Sequence, residues 1–227
     1  MKKFCTAILL FFMVSVSAAW AKNYQISGRI KGAQTAVKRM IKSHSAYGLA
    51  QSVKEGIGIV IFPDVVKAGF IVSGRYGEGL IMRHDKTTGK WYGPAFYSIS
   101  GGSVGLQAGA TSTALVLTVN NEKGMKAFRG GAFTLGVDVT AAAGPGGKES
   151  YVGTSFNSGA ALYSYSISRG VYAGAALDGS VLSELPRVND QCWKVHLNNV
   201  QILSRECPRY DVQELIRLLN QLIAMAK

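Results

Sequence analysis

The chain has few of the residues that most often carry metal or nucleophilic chemistry. Its 227 residues include three histidines and three cysteines. His44, His84 and His196 are scattered, and none belongs to an H-E-x-x-H pattern. Only His196 lies between Cys192 and Cys207, and this spacing fits no zinc site. We therefore expect the protein to need neither a metal nor another cofactor.

Clear signs of an enzyme are also scarce. The stretch GRYGEG at 74–79 does not match a phosphate-binding loop, which requires G-x-x-x-x-G-K-[ST]. Glu78, Asp138 and Asp178 lie within strand-like motifs, where a structural hydrogen bond or ion pair is a better interpretation than catalysis. Their candidate partners are Lys67, Arg75 and Arg169. A Ser-His-Asp triad can assemble from distant residues, so an envelope hydrolase remains an alternative; we expect a protein that is not an enzyme.

After its first residues, the chain has no uninterrupted apolar run long enough for a membrane-spanning helix. Residues 1–21 have the three parts of a secretory signal peptide: two early lysines, an apolar stretch and the A-x-A cleavage site at 19–21. An uncleaved membrane anchor is the alternative. Cys5 lies well before the cleavage site, which argues against a lipid anchor. We expect a protein that begins at Lys22 and is exported, either periplasmic or secreted, and peripheral to a membrane.

Acidic residues are absent from residues 22–54, which hold seven basic residues of a chain whose formal net charge is +12. The segment 22–55 also shows helical spacing, because apolar residues recur every three or four positions from Ile26 to Ile41. The bases surround this apolar face, and we take five of them as candidate lipid-binding residues. They are Arg29, Lys31, Lys38, Arg39 and Lys42.

A basic amphipathic helix is typical of a membrane surface, where anionic headgroups attract the bases. The alternative is a helix that packs its apolar face on the sheet and leaves its lysines in water. The two interpretations are compatible. We expect this helix to end or restart around Gly48.

Residues 56–185 are predicted to form a β-rich core. Short apolar runs alternate with glycines through residues 67–110, and the polar sequence DKTTG at 85–89 predicts a hairpin loop. The glycine density indicates backbones that approach closely. We also expect strands at 57–62, 103–120, 132–143, 160–168 and 171–183. Pro63 is expected to end the first of them, and a helix is expected at 121–129.

The C-terminal extension, residues 186–227, contains a predicted helix with a broad apolar face from Leu215 to Ile223. Asp211 and Glu214 resemble a capping box at its start. The predicted fold is therefore one β-rich α+β domain over 22–227. Its curved or closed antiparallel sheet is flanked by the N-terminal basic helix and this C-terminal helix.

Two cysteines remain after the expected cleavage, Cys192 and Cys207. Because exported proteins meet oxidising conditions, we predict a disulfide between them. Two separate thiols that are merely close in sequence are the alternative.

Several motifs, taken in order, resemble the SYLF-domain family of lipid-binding proteins. They are IFP at 61–63, KAGF at 67–70, GRYGEG at 74–79, the spacing from Trp91 to Pro94, GGSVGLQAG at 101–109, LGVD at 135–138, AGPGG at 143–147 and the run of 163–180. The resemblance covers about the whole mature chain. It departs at Arg169, where the family more often has lysine, and at Asp178, where glutamate is usual; both keep the sign of the charge.

The resemblance implies lipid binding, and it adds Lys67, Arg75 and Trp91 to the candidate lipid-binding residues. We expect an anionic phospholipid or membrane surface as the partner, with no nucleic acid and no metal. The oligomeric state stays open. Eukaryotic members are associated with phosphoinositides and actin, but an exported protein would not meet the actin of its own cell. A small outer-membrane β-barrel is an alternative because the chain combines a signal peptide with glycine- and tyrosine-rich strands, although its C-terminal helix argues against this.

Overall fold

The structure is a computed structural model that describes residues 26–145, 159–167 and 177–226. The expected signal peptide, the cleavage point before Lys22 and Arg169 lie outside these ranges. In chain order the elements are α1 (Ile26–Ile41), α2 (Ala46–Glu55), β1 (Gly58–Asp85), β2 (Lys90–Val119), α3 (Glu122–Gly130), β3 (Phe133–Thr134), β4 (Ala141–Ala143), β5 (Leu162–Ile167), β6 (Val181–Glu184), α4 (Pro186–Trp193), α5 (Asn199–Ile202) and α6 (Tyr210–Ala224).

A single long hairpin, β1 with β2, forms most of the sheet. The two strands pair antiparallel from Gly58 with Val119 down to Asp85 with Lys90, and the polar turn predicted at 85–89 closes the hairpin. The other edge of β2 pairs with β6 along its first half and with β5 along its second half. The sheet is antiparallel except where β4 runs parallel to β5. The predicted β-rich α+β fold is confirmed.

The sheet is so strongly curved that the two halves of β1 lie side by side. The amide of His84 donates to the carbonyl of Ile57 at 2.9 Å. A Cβ added to Gly79 would lie 2.2 Å from the carbonyl oxygen of Ile61, and one added to Gly77 would lie 2.7 Å from that of Asp64. Only glycine leaves room for such an approach. The glycines of GRYGEG therefore permit the curl, as their density predicted.

Alternate residues of the strands supply two hydrophobic cores, one on each face of the sheet. Ile59 and Ile61 belong to the first core, which α1, α2 and α6 cover. Val60 and Phe62 belong to the second core, which includes residues of α3 and α5. Because both faces are covered, the sheet positions α1 on one side and a separate apolar layer on the other.

The structure corrects several sequence-based boundaries. Pro63 does not end a strand: β1 continues past it, and a register shift between Phe62 and Val65 absorbs the irregularity. The helix break falls at 42–45, before Ala46, so Gly48 lies inside α2. Residues 132–143 form two short strands, β3 and β4, around a turn rather than one strand. Within the described ranges, no helix is long and apolar enough to cross a membrane.

Candidate functional site

Four of the candidate lipid-binding residues form one exposed surface on α1 and the turn that follows it. Lys31, Lys38, Arg39 and Lys42, together called the α1 basic face, are all exposed. Lys31 and Lys38 are seven residues apart, so they lie on one side of α1, about 10 Å apart along its axis, and Lys42 follows in the turn after Ile41. Among the described residues, none of the four belongs to an ion pair. The surface therefore presents uncompensated positive charge.

The apolar face of α1 is already occupied by the protein itself. Ile30, Ala33, Val37 and Met40 are completely or almost completely buried in the first core. The helix packs against β1 and α6. In this structure the apolar face of α1 is therefore occupied by the sheet and α6, and binding of a membrane by its bases stays a prediction. The alternative, an apolar face packed on the sheet with solvated bases, is what the structure shows.

Polar contacts from the start of α6 hold α1 in place. Arg209 forms a bidentate ion pair with Asp211, with nitrogen–oxygen distances of 3.0 and 2.7 Å. The Arg209 guanidinium also donates to Ser27 at 3.1 Å, and the Gln34 side chain donates to the Asp211 carbonyl at 2.7 Å. Burial alone would raise the pKa of Asp211, but the hydrogen bonds and the charge of Arg209, together with hydrogen bonds from Ser27 and the Val212 amide, lower the pKa below its ordinary value. The predicted capping box is wrong, because Arg209 is the N-cap and no side chain caps the helix there.

Arg29 differs from the other basic residues of α1. Its guanidinium forms an ion pair with Glu78 of the GRYGEG motif, and its side chain is only 9% exposed. The Tyr76 hydroxyl donates to the same carboxylate at 2.8 Å. Arg29 thus ties α1 to the curl of β1 and contributes little to the exposed surface. Among the residues that the structure describes, Glu78 pairs with Arg29, a partner that the sequence did not indicate, whereas the candidate Arg169 lies outside the described ranges.

Lys67 and Arg75 are brought together on the other face of the sheet. Both line a pocket that is partly open to solvent. Three hydroxyl side chains and three apolar side chains complete the described wall. They are Thr113, Ser164, Ser166, Val65, Leu115 and Leu177. The sequence analysis did not identify these hydroxyl residues as candidates. The pattern that could have indicated them is the alternation of polar and apolar residues in the second half of β2 and in β5.

Trp91 lies inside the protein, at 3% exposure. Its ring stacks on His84 with 4.4 Å between centroids, and its Nε1 donates to the Asn220 side chain of α6 at 2.8 Å. Burial lowers the pKa of His84, which keeps this imidazole neutral near pH 7. Trp91 therefore joins the sheet to the C-terminal helix and belongs to neither the α1 basic face nor the pocket.

Cys192 of α4 and Cys207, in the segment before α6, are buried free thiols in this structure. The hydrogen bond that the Cys192 thiol donates lowers the pKa of Cys207 to about 7, although burial opposes the shift. Donating this bond raises the pKa of Cys192, and burial raises it further. The two sulfurs therefore face each other, and the disulfide stays a prediction.

Asp138 and Asp178, two of the acidic residues considered for catalysis, make contacts of the kind expected for structural residues. Asp138 accepts a hydrogen bond from the Thr134 amide at 2.7 Å. Asp178 lies against Gly136, where an added Cβ would be 2.9 Å from its carboxylate. Residues 101–105 read G-x-S-x-G, a pattern that in hydrolases marks a sharp turn from strand to helix. Here they lie within β2 and pair with residues 71–75 of β1, so they form no such turn.

Comparison with known proteins agrees with the family that the motifs resemble. A model of the Ysc84 family, described as Las17-binding protein actin regulator, matches residues 100–222. SH3 domain-containing YSC84-like protein 1 of Homo sapiens is 34% identical over 173 residues, 75% of this chain and 50% of that protein. Protein YSC84 of Saccharomyces cerevisiae is 30% identical over 187 residues, 79% of this chain and 40% of that protein.

The chain thus spans about half the length of these relatives or less. The family match begins in β2 and ends in α6, so α1 precedes it. The description of the family names binding and regulation rather than a reaction. The resemblance to the SYLF domain is confirmed, and the chain belongs to the Ysc84 family.

Proposed function

We propose that this protein binds anionic phospholipid at a membrane surface of the cell envelope, through the α1 basic face and without catalysing a reaction. One observation carries the proposal: three exposed cations lie on a helix whose sequence has no acid, and a fourth, Lys42, follows directly after it. Their partner has to supply negative charge over an extended surface, and a layer of anionic headgroups does so.

The expected strength follows from how many bases reach the surface. Each basic residue near an anionic membrane contributes about 1 kcal/mol. If three of the four reach the headgroups together, the attraction is about 3 kcal/mol, or roughly a hundredfold in partitioning. This is enough for reversible peripheral binding.

The test reverses charge on α1. The variant carrying Lys38→Glu, Arg39→Glu and Lys42→Glu is expected to lose at least about a hundredfold in binding to anionic vesicles, because three attractions are lost and repulsions replace them. Co-sedimentation with anionic and with neutral phosphatidylcholine vesicles measures this effect. The three positions are exposed, so circular dichroism should show an unchanged fold.

A matched control reverses three exposed lysines elsewhere: Lys86, Lys123 and Lys126. It changes the net charge equally and should retain most of the binding. Equal loss in both variants would mean that total charge, not the α1 basic face, attracts the membrane. Failure of the wild type to bind any vesicle would contradict the proposal.

The family description favours a second candidate, an acidic protein partner, since it names Las17 binding and actin regulation. The same basic face could receive an acidic protein surface. Adding filamentous actin instead of vesicles to the sedimentation assay separates the candidates. Actin binding that the α1 variant abolishes, without vesicle binding by the wild type, would favour the protein partner.

Export completes the proposal and rests on residues 1–21. We predict that protein recovered from the cell envelope begins at Lys22, because the A-x-A site ends at Ala21. Mass spectrometry of the intact protein checks this. A chain that retains Met1, or one with an acylated terminus, would contradict it.

A further inference from the structure

Cys192 and Cys207 lie in the layer of the protein that supports α1. Both thiols are buried in the first core, which is the core that α1 covers. Cys192 belongs to α4, which contacts α1 directly. Cys207 lies three residues before α6, another helix that packs on α1. A bond between the two sulfurs would therefore join two elements that both contact the basic helix.

The segment from Cys207 to Asp211 also carries polar contacts with α1. Arg209 donates to Ser27 of α1 at 3.1 Å, and the carbonyl of Asp211 accepts from Gln34 of α1 at 2.7 Å. We call these two contacts the α1 clamp. The ion pair between Arg209 and Asp211 connects them. Cys207 is therefore two residues away from the arginine that holds the start of α1.

Residues 206–209 form neither helix nor strand, so the position of the α1 clamp depends on a few local contacts. The carbonyl of Cys207 accepts from the Gln213 side chain at 2.7 Å, and its sulfur accepts from the Arg209 amide. After the hydrogen bond from Cys192, the amide and the charge of Arg209 are the next causes that lower the pKa of Cys207, although burial opposes them. The Cys207 sulfur thus contacts the same residue that forms the α1 clamp.

We propose that Cys192 and Cys207 form a redox switch that determines how firmly α1 is held to the sheet. In the dithiol form, only non-covalent contacts hold the Cys207 side chain, and the irregular segment can open locally together with the α1 clamp. A disulfide ties Cys207 to α4 and removes this freedom, so the oxidised form holds α1 more firmly. The switch acts on the attachment of α1 and goes beyond the proposed binding of a membrane.

The covalent step needs an oxidant, and a low-molecular-weight disulfide such as oxidised glutathione supplies one. The Cys207 thiolate attacks one sulfur of oxidised glutathione and releases the other glutathione as a thiolate. Cys192 then loses its proton, attacks the Cys207 sulfur of this mixed disulfide and releases the second glutathione. Two electrons pass from the pair to the oxidant, and the two thiol protons end on two molecules of reduced glutathione.

Hydrogen exchange of the α1 backbone amides, followed by mass spectrometry, is the direct test. The full chain carries Cys5→Ser so that only this pair can be bonded, and it is prepared either with oxidised glutathione or with dithiothreitol. At short exchange times, when local openings dominate, oxidation should slow exchange in α1 about tenfold. Exchange in α3, whose buried residues belong to the second core, should stay within about twofold. Equal slowing in α1 and α3 would mean a general stabilisation and would overturn the proposal.

Paired variants test whether the α1 clamp connects the cysteines to α1. Arg209→Gln breaks the ion pair with Asp211 and the contact with Ser27, so oxidation should then change exchange in α1 by less than about twofold. The control is Arg217→Gln, which removes an exposed arginine of α6 outside the α1 clamp. It should retain the about tenfold effect of oxidation. An undiminished effect in Arg209→Gln would overturn the proposal.

A cysteine variant separates the bond from other effects of the reagents. Cys192→Ser cannot form the disulfide, so exchange in its α1 should be the same in both preparations, with circular dichroism as the folding control. A difference between them would overturn the proposal. Mass spectrometry of the intact protein identifies the disulfide by the loss of two hydrogens, and absence of the bond after oxidation would also overturn the proposal. Failure of α1 to bind vesicles would contradict only the proposed function.

Discussion

Cys192 and Cys207 show how two side chains of the same type acquire opposite properties. The Cys192 thiol donates its hydrogen to the Cys207 sulfur, so the pKa of Cys192 rises while that of Cys207 falls to about 7. The lowered pKa of Cys207 favours its thiolate, the form that attacks an oxidant. The pair is ready to close into the disulfide that the sequence predicts.

We predict that oxidation of this pair stabilises the protein by about 3 kcal/mol, because it closes a loop of about 15 residues in the unfolded chain. Urea denaturation of oxidised and reduced protein measures the difference. The rate of oxidation by glutathione disulfide should rise as the pH rises through about 7, since the thiolate replaces the thiol over that range. Protein from the envelope whose two cysteines both react with a thiol reagent in non-reducing denaturant would contradict the disulfide.

Residue type alone could not separate structural from functional candidates. Arg29 and Lys31 are two positions apart on one basic helix, yet Arg29 is largely buried against Glu78 and Lys31 is exposed. Trp91 lies in a family motif, but its contacts with His84 and Asn220 serve the core. Helical periodicity identifies the apolar face of α1. It does not reveal that a carboxylate from β1 reaches one of the bases.

At the scale of elements, the curl of β1 depends on small residues at particular positions. Gly79 lies against the backbone and side chain of the same strand 17 to 18 residues earlier, at Ile61 and Phe62. Gly74 belongs to the same strand and motif, but an added Cβ there would meet nothing within 4 Å. The two glycines therefore have different roles despite their similar sequence context.

We predict that Gly79→Ala destabilises the fold by at least about 3 kcal/mol, since its Cβ would be 2.2 Å from a backbone oxygen that cannot move alone. Gly74→Ala is the matched control and should change the free energy of unfolding by less than about 0.5 kcal/mol. Urea denaturation monitored by circular dichroism compares them. Equal stability of the two variants would mean that the curl does not require glycine at position 79.

The elements with strong local signals were predictable from the sequence. The basic helix, the hairpin turn at 85–89, α3 and α6 all have distinct periodicity or turn residues. The continuation of β1 through Pro63 was not predictable, because a proline usually ends a strand and a bulge depends on the partner strand. The turn within 132–143 was also not predictable, because the composition of this segment is typical of a single strand.

For the whole molecule, the elements that cover both faces of the curved sheet determine which surfaces are left exposed to a partner. The apolar side of α1 is buried between β1 and α6, and the ion pair of Arg209 with Asp211 holds the start of α6 against it. The outward side of α1 carries only charged and polar residues. A membrane therefore meets charge and no apolar helix face, unless α1 leaves the sheet. The pocket residues could be placed together only by the structure, because Lys67, Thr113 and Ser166 belong to three different strands.

Salt provides the test of this arrangement. If α1 stays packed, binding to anionic vesicles is electrostatic, and it should fall steeply as added salt shortens the Debye length from about 10 Å at 0.1 M to about 3 Å at 1 M. A helix that inserted its apolar face would instead retain binding at high salt, because the hydrophobic effect is not screened by ions. We therefore predict that 1 M NaCl releases nearly all of the bound protein, measured by co-sedimentation, with circular dichroism showing the fold intact. Salt-resistant binding would mean that α1 detaches from the first core. In that case, weakening its attachment with Arg209→Gln should increase binding rather than leave it unchanged.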